Sequence, residues 1–253
     1  MGARIGIGEA FGATYWSPSV LAAMGIGSAA ALAGQMSGGL WKPIAAVLAI
    51  FFIGYTVSYA RGIATGECTS LPSLRNPAHM RRGLAMGVVV FLPATSLFLL
   101  LLVGLLILSS AIPAINRIVG IQVLGIVWLV VLMFGEYVFG PRYVVTDRLR
   151  VSLWYLDAMR RVWRNRLAAA MLLGFAVASS FVFAAVERPL ETLLGTSFSL
   201  VGITAQLHAG NFYADELLGL GAIVGLAAVS SYMELVTAHM LEQYARIAYE
   251  SES

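Results

Sequence analysis

Apolar residues run through this chain in long, nearly unbroken blocks, not at the three-to-four spacing of a helix with one buried stripe. A helix crossing about 30 Å of hydrocarbon needs roughly 20 such residues. Six blocks meet that length: 17–39, 41–60, 83–109, 115–140, 167–186 and 217–240. A further stretch, 190–208, is moderately apolar but carries Thr, Ser, Gln and His. It reads as an interfacial or re-entrant segment on the outer face, because irregular polar backbone is tolerated only where protein or water satisfies it. Between the fourth and fifth blocks, over 146–166, the period changes. Leu149, Leu153, Leu156, Met159 and Trp163 share one helical face, while Arg150, Asp157, Arg160, Arg161 and Arg164 fall elsewhere around the wheel. That pattern predicts an amphipathic helix lying in the membrane interface. The expected fold is therefore all-α: six transmembrane helices plus an interfacial amphipathic helix, with residues 1–253 forming one transmembrane domain.

Composition removes the alternatives. The chain is 59% apolar and only 11% charged, against about 45–50% and about 25% in soluble domains. Disorder requires the opposite balance. A disulfide scaffold is excluded because Cys68 is the only cysteine. The formal charge of +3 is too mild to imply nucleic-acid binding. Its distribution says more. Arg4, Arg61, Arg75, Arg81, Arg82, Arg142, Arg148, Arg150, Arg160, Arg161, Arg164, Arg166 and Arg246 all fall on one side of a six-span path, leaving Lys42, Arg117 and Arg188 opposite. The positive-inside rule then places both termini and both arginine-rich loops in the cytoplasm, with the chain in the cell membrane. The first residues show neither a signal peptide nor the Ser or Thr of a myristoylation signal.

Three sets of residues are candidates for function. Gly25, Gly34 and Gly38 lie in a slim first helix, the last two at G-x-x-x-G spacing. Small residues let helix backbones approach in lipid, against this chain's own helices or a partner subunit's. Arg150, Arg160, Arg161, Arg164 and Trp163 offer a face for anionic phospholipids or a protein partner. The simpler reading is that they enforce topology and solvate a surface helix. Glu136, Glu234 and His239 are ionisable groups within or near spans, where charge costs about 2.5–3.5 kcal/mol or more. They form a candidate polar track for protons or a small solute. The simpler expectation pairs each carboxylate with an interfacial arginine, for example Arg142 or Arg246, both acids sitting near helix ends where snorkelling lowers the cost.

Enzyme signatures are missing. His79, His208 and His239 lie on three segments, so no zinc site is expected, and no H-E-x-x-H, Walker A or G-x-S-x-G occurs. No cofactor, metal or catalytic residue is assigned. Cys68, a lone thiol in a cytoplasmic loop, reads as inert. That loop, 61–82, holds Gly62, Gly66, Pro72 and Pro77 and reads as a turn-rich connector.

The order of motifs around it resembles a known family. Gly54-Tyr55 ends one span, Gly66-Glu67 and Leu71-Pro72 follow, Gly83 opens the next span, and Pro93 lies within it. Near the end, Ala238-His239 precedes Gln243-Tyr244. Together these resemble the polytopic bacterial and archaeal membrane proteins of domain-of-unknown-function family 4013. That family usually has acidic and Trp residues after its Leu-Pro, where this chain has Ser73, Leu74, Arg75 and Asn76. The resemblance implies a multi-span fold and no established chemistry. The leading expectation is a non-catalytic membrane subunit or scaffold packed among other membrane proteins. The alternative is a small-solute or proton-coupled transporter or channel using Glu136 and Glu234.

Overall fold

The computed structural model describes residues 5–14, 18–35, 40–66, 71–111, 117–194 and 214–249. These residues are helical throughout their ordered elements, and none of them forms a strand. The order is α1 (Ile7–Ala13), α2 (Pro18–Gln35), α3 (Trp41–Ala64), α4 (Ala78–Ala111), α5 (Arg117–Thr146), α6 (Leu149–Ser152), α7 (Tyr155–Arg164), α8 (Arg166–Leu194) and α9 (Ala214–Tyr249). Trp41–Ala64, Ala78–Ser110, Val119–Thr146 and Val224–Tyr249 are long and apolar enough to cross a membrane. A fifth is added if Tyr155–Arg164 and Arg166–Val182, bent by 101°, count as one broken span. By length and composition this is a multi-pass membrane protein with four or five such helices among the described residues. The outward side chains agree: Leu100, Ile107 and Ile126 on α4 and α5 are 70%, 64% and 62% exposed, a surface that lipid solvates and water does not.

The long helices run beyond the apolar blocks. At about 1.5 Å per residue, the 34 residues of α4 extend about 50 Å, so its ends project past a hydrocarbon core of about 30 Å. The connector expected over 61–82 is correspondingly shorter, because α3 continues to Ala64 and α4 begins at Ala78. Local chemistry sets both limits. Gly66, at φ +70°, adopts the left-handed conformation that ends a helix, its N–H donating to Ile63 O at 3.1 Å. Asn76 Oδ1 accepts from Ala78 N–H at 2.9 Å, and Pro77 occupies the position where a missing N–H costs least. Cys68 lies outside the described residues, as do Gly38, His208 and the remainder, 195–208, of the segment expected at the outer face. The start of that segment continues α8 to Leu194.

The range 146–166 forms two helices. Asp147, at φ +50°, breaks the chain after α5, and Trp154 separates α6 from α7. The amphipathic expectation survives in α7: Leu156, Met159 and Trp163 point outward, Trp163 at 76% exposure, while Ala158 faces the core. Arg150, Arg160 and Arg164 are exposed. Arg161 turns inward, 4.4 Å from the centre of the Tyr249 ring, and donates to Ala248 O at 2.6 Å.

Helix directions alternate. The starts of α2, α4 and α8 and the ends of α3, α5 and α9 meet at one arginine-rich end, which also holds most of the buried core. Gly6 N–H donates to Gln243 Oε1 at 2.7 Å, bringing both described ends of the chain to that same end. The tightest contact joins α3 to α4. A methyl group at Gly54 would overlap the His79 carbonyl, and one at Gly83 would overlap the Ile50 carbonyl, so the two backbones touch. In α2 the Cβ direction of Gly25 meets open space, so Gly25 is not a close contact among this chain's described residues. Gly27 instead faces Ser231 and Phe52. Gly34 lies in α2.

Close approach assembles a polar node. His79 is fully buried; its Nε2 donates to Ser73 O at 2.8 Å, and its Nδ1 lies 2.9 Å from Ser58 Oγ. Arg82 donates to Ser58 Oγ at 3.1 Å and to Asp147 at 3.3 Å. Arg81 lies 3.1 Å and Arg61 3.9 Å from the same carboxylate. Arg81 and Arg82 sit in the first turns of α4, where the helix dipole opposes positive charge, and Asp147 offsets that opposition.

Two stability predictions follow from these contacts. Gly54→Ala should destabilise the protein by about 1–3 kcal/mol through overpacking, whereas Gly25→Ala should be near neutral; thermal unfolding in detergent followed by tryptophan fluorescence compares the two. Asp147→Asn keeps a residue that tolerates a left-handed backbone but removes the charge, and should cost about 2 kcal/mol in the same assay.

Candidate functional site

Halfway along α3, four helices leave a groove of about 310 Å³. Gly27 and Ala30 of α2, Phe52, Ile53 and Thr56 of α3, Glu136 of α5, and Ser230, Ser231 and Glu234 of α9 contribute to its walls. Two of the three residues expected in a polar track are thus brought together. The third is not. His239 is five residues beyond Glu234, about 140° further around the helix, and so faces another way. It is 5% exposed, lies against the Tyr59 ring at 6.2 Å between centroids, and neither ring nitrogen has a hydrogen-bond partner among the described residues.

The expected ion pairs do not form. Arg142 lies 3.2 Å from Asp157, and Arg246 lies 3.4 Å from Glu242. No ion pair of Glu136 or Glu234 occurs among the described residues. The reason is distance. α5 and α9 continue to Thr146 and Tyr249, past the expected ends at 140 and 240. Glu136 therefore sits about 15 Å, and Glu234 about 22 Å, from the arginine-rich ends of their helices. Snorkelling does not reach that far. Glu136 is half-buried and Glu234 is exposed on the groove side of α9.

The remaining polar atoms are the hydroxyl oxygens of Thr56, Ser230 and Ser231, and two of the three have their hydrogens committed. Thr56 donates to Ile53 O at 2.7 Å, and Ser231 donates to Ala227 O at 2.8 Å. A hydroxyl has one hydrogen and two lone pairs, so these groups are left as acceptors. Two carboxylates and lone-pair-bearing hydroxyls make a site suited to a proton, a small cation or a protonated amine. Among the described residues, no three His, Cys, Asp or Glu side chains gather as a transition-metal site would require. Sequence reading missed Thr56, Ser230 and Ser231. The two serines precede Glu234 by four and three residues, a spacing that places them on its face and could have marked the groove.

The arginines expected to meet lipid are elsewhere. Arg150, Arg160 and Arg164, with Trp163, lie outward at the arginine-rich end, while Arg161 is held by Asp157 at 3.0 Å. No protein-family model, curated protein or solved structure matches the chain.

An apolar carbodiimide tests the groove directly, since it attacks protonated carboxyl groups from the lipid phase. Dicyclohexylcarbodiimide should modify Glu234, and Glu136 more slowly; Glu234→Gln should remove most of the label as read by intact-protein mass spectrometry.

Proposed function

We propose that this chain is a non-enzymatic, multi-pass membrane protein that carries protons or a small cation through the groove holding Glu136 and Glu234. The observation behind this reading is the convergence of two carboxylates, without a basic partner among the described residues, at mid-depth in an apolar bundle. Charge in such a place is costly and normally faces a partner, water or a transported ion. The alternating helix directions support a six-span path in which α2 and α8 complete the crossings. The positive-inside rule supports cytoplasmic termini in a cell membrane, with anionic phospholipids at the arginine-rich end. Membership of domain-of-unknown-function family 4013 is part of the same proposal. Residues that carry the resemblance, Gly54, Gly83 and Gln243, make helix contacts here, which supports it.

A second reading, a subunit or scaffold of a larger membrane complex, is favoured by one feature. Leu21, Ala22, Gly25 and Ala29 form an exposed, slim face of α2 that a partner helix could approach closely.

Reconstitution separates the two. Purified protein in liposomes carrying an internal pH dye and a cation gradient should give flux that falls at least about tenfold in Glu136→Gln or Glu234→Gln, roughly the 1.4 kcal/mol that one decade represents. Gly25→Ala should leave that flux unchanged. Inactive liposomes, together with a stoichiometric protein partner in mild-detergent preparations that persists in Glu136→Gln, would replace the transport reading with the subunit reading.

A further inference from the structure

At the arginine-rich end, a second cavity of about 630 Å³ opens where α3 and α5 finish and α6 begins. Arg61, Ala64 and Thr65 of α3, Val145 and Thr146 of α5, Arg148 and Val151 line it. We propose that this cavity is a binding site for the phosphate group of an anionic phospholipid.

The first argument is charge. Arg61 and Arg148 line the cavity, Arg81 and Arg82 share the Asp147 carboxylate with Arg61, and no ion pair of Arg148 occurs among the described residues. One carboxylate does not neutralise four cations. Helix C-termini repel anions, and two helices end here. That opposition is reduced because Arg61 Nη1 donates to the last carbonyls of α5, Val144 O at 3.2 Å and Val145 O at 3.0 Å.

The second argument is unused hydrogen-bonding capacity. Arg61 Nε faces the Asp147 carboxylate at 3.9 Å and Nη1 is committed to α5, while no hydrogen bond among the described residues uses Nη2. Arg148 is exposed on the rim and makes no ion pair among the described residues. Phosphate oxygens match guanidinium geometry. The Thr65 and Thr146 hydroxyls donate to Arg61 O and Arg142 O, leaving the two arginines as the donors available to a ligand.

The third argument decides between a lipid and free phosphate. Val151 lines the cavity, and the neighbouring Leu149 and Trp154 are exposed, Trp154 at 70%. α7 continues the outward apolar surface with Leu156 and Met159. A headgroup in the cavity therefore has apolar surface beside it for its acyl chains, whereas free phosphate would use none of it. None of Arg150, Arg160 and Arg164 lines the cavity. The proposal rests on the reading that this end meets an anionic leaflet, and is independent of the Glu136–Glu234 groove.

The test uses purified full-length protein in neutral detergent, where no anionic surface exists and only a built site retains lipid. Native mass spectrometry measures binding of phosphatidylglycerol and phosphatidylcholine across a concentration series. The wild type should hold one phosphatidylglycerol in preference to phosphatidylcholine. Arg148→Gln, at an exposed position, should weaken it about fivefold, the equivalent of about 1 kcal/mol. Arg61→Gln should weaken it at least as much, and Arg164→Gln by less than about twofold. An unchanged affinity in Arg148→Gln, or equal losses in Arg148→Gln and Arg164→Gln, overturns the site while leaving the anionic-leaflet reading in place. No preference for phosphatidylglycerol overturns both. Inorganic phosphate in millimolar excess should displace the lipid only weakly; full displacement would overturn the lipid assignment.

Discussion

The backbone contact between α3 and α4 determines what the arginine-rich end can hold. With no side chain at Gly54 or Gly83, the two helices approach until backbone meets backbone. Ser58, one turn beyond Gly54, then reaches His79 and Arg82, which lie just before Gly83 on α4. Arg82 in turn reaches Asp147, and Arg61, nearly one further turn along α3, reaches the final carbonyls of α5. A wider crossing would take Ser58 away from His79 Nδ1 and Arg82, a loss of about 1–3 kcal/mol for each group left unsatisfied. Packing of small residues therefore comes first in this fold, and the polar node follows from it.

The α7–α8 corner extends the same end outward. α7 directs Leu156, Met159 and Trp163 away from the protein and sends Arg161 inward to Asp157, Ala248 and Tyr249. Arg142 joins Asp157 from α5. The helix best suited to a membrane surface is thereby tied to the ends of α5 and α9, the two helices that carry Glu136 and Glu234. Displacement of α7 has to break charged hydrogen bonds, each stronger than a neutral one. α7 is therefore anchored to the same two helices that line the groove.

Much of this was legible along the chain, for identifiable reasons. Long apolar blocks announce helices in lipid, and the arginines mark the end at which the helices meet. Helix ends were harder to place. Arg81, Arg82, Glu242 and Arg246 look like loop residues by polarity, yet a helix leaving hydrocarbon gains nothing by unwinding where its side chains are already solvated. Capping by Asn76 and Pro77, rather than the fall in hydropathy, starts α4. The contact glycines between α3 and α4 carry no comparable local signal. Gly25 and Gly34 draw attention by density and spacing, whereas Gly54 and Gly83 lie some 29 positions apart, and no local pattern reveals that they face each other. The groove was half legible: the acids were evident as intramembrane charges, but their common address depends on α2, α3, α5 and α9 meeting.

The distribution of charge gives the groove its significance. Asp147, Asp157 and Glu242 each meet arginine at the bundle's end, so the protein pairs its acids there even when one of them, Glu242, is almost wholly buried. Pairing Glu136 and Glu234 as well would have required a cation at mid-depth, since Arg142 lies about 9 Å from Glu136 along α5 and Arg246 about 18 Å from Glu234 along α9, and both are turned to other acids. The chain holds no lysine or arginine between Lys42 and Arg61, between Arg117 and Arg142, or between Arg188 and Arg246. The two acids are thus separated from basic side chains by sequence as well as by depth. At about 2.5–3.5 kcal/mol for each charged group, such a pair is stable when protonated, hydrated within the groove, or holding a cation supplied from outside. Passage from the hydrated state to either of the other two takes up a positive charge from the surroundings, so the occupancy of the groove and the charge of the acids change together.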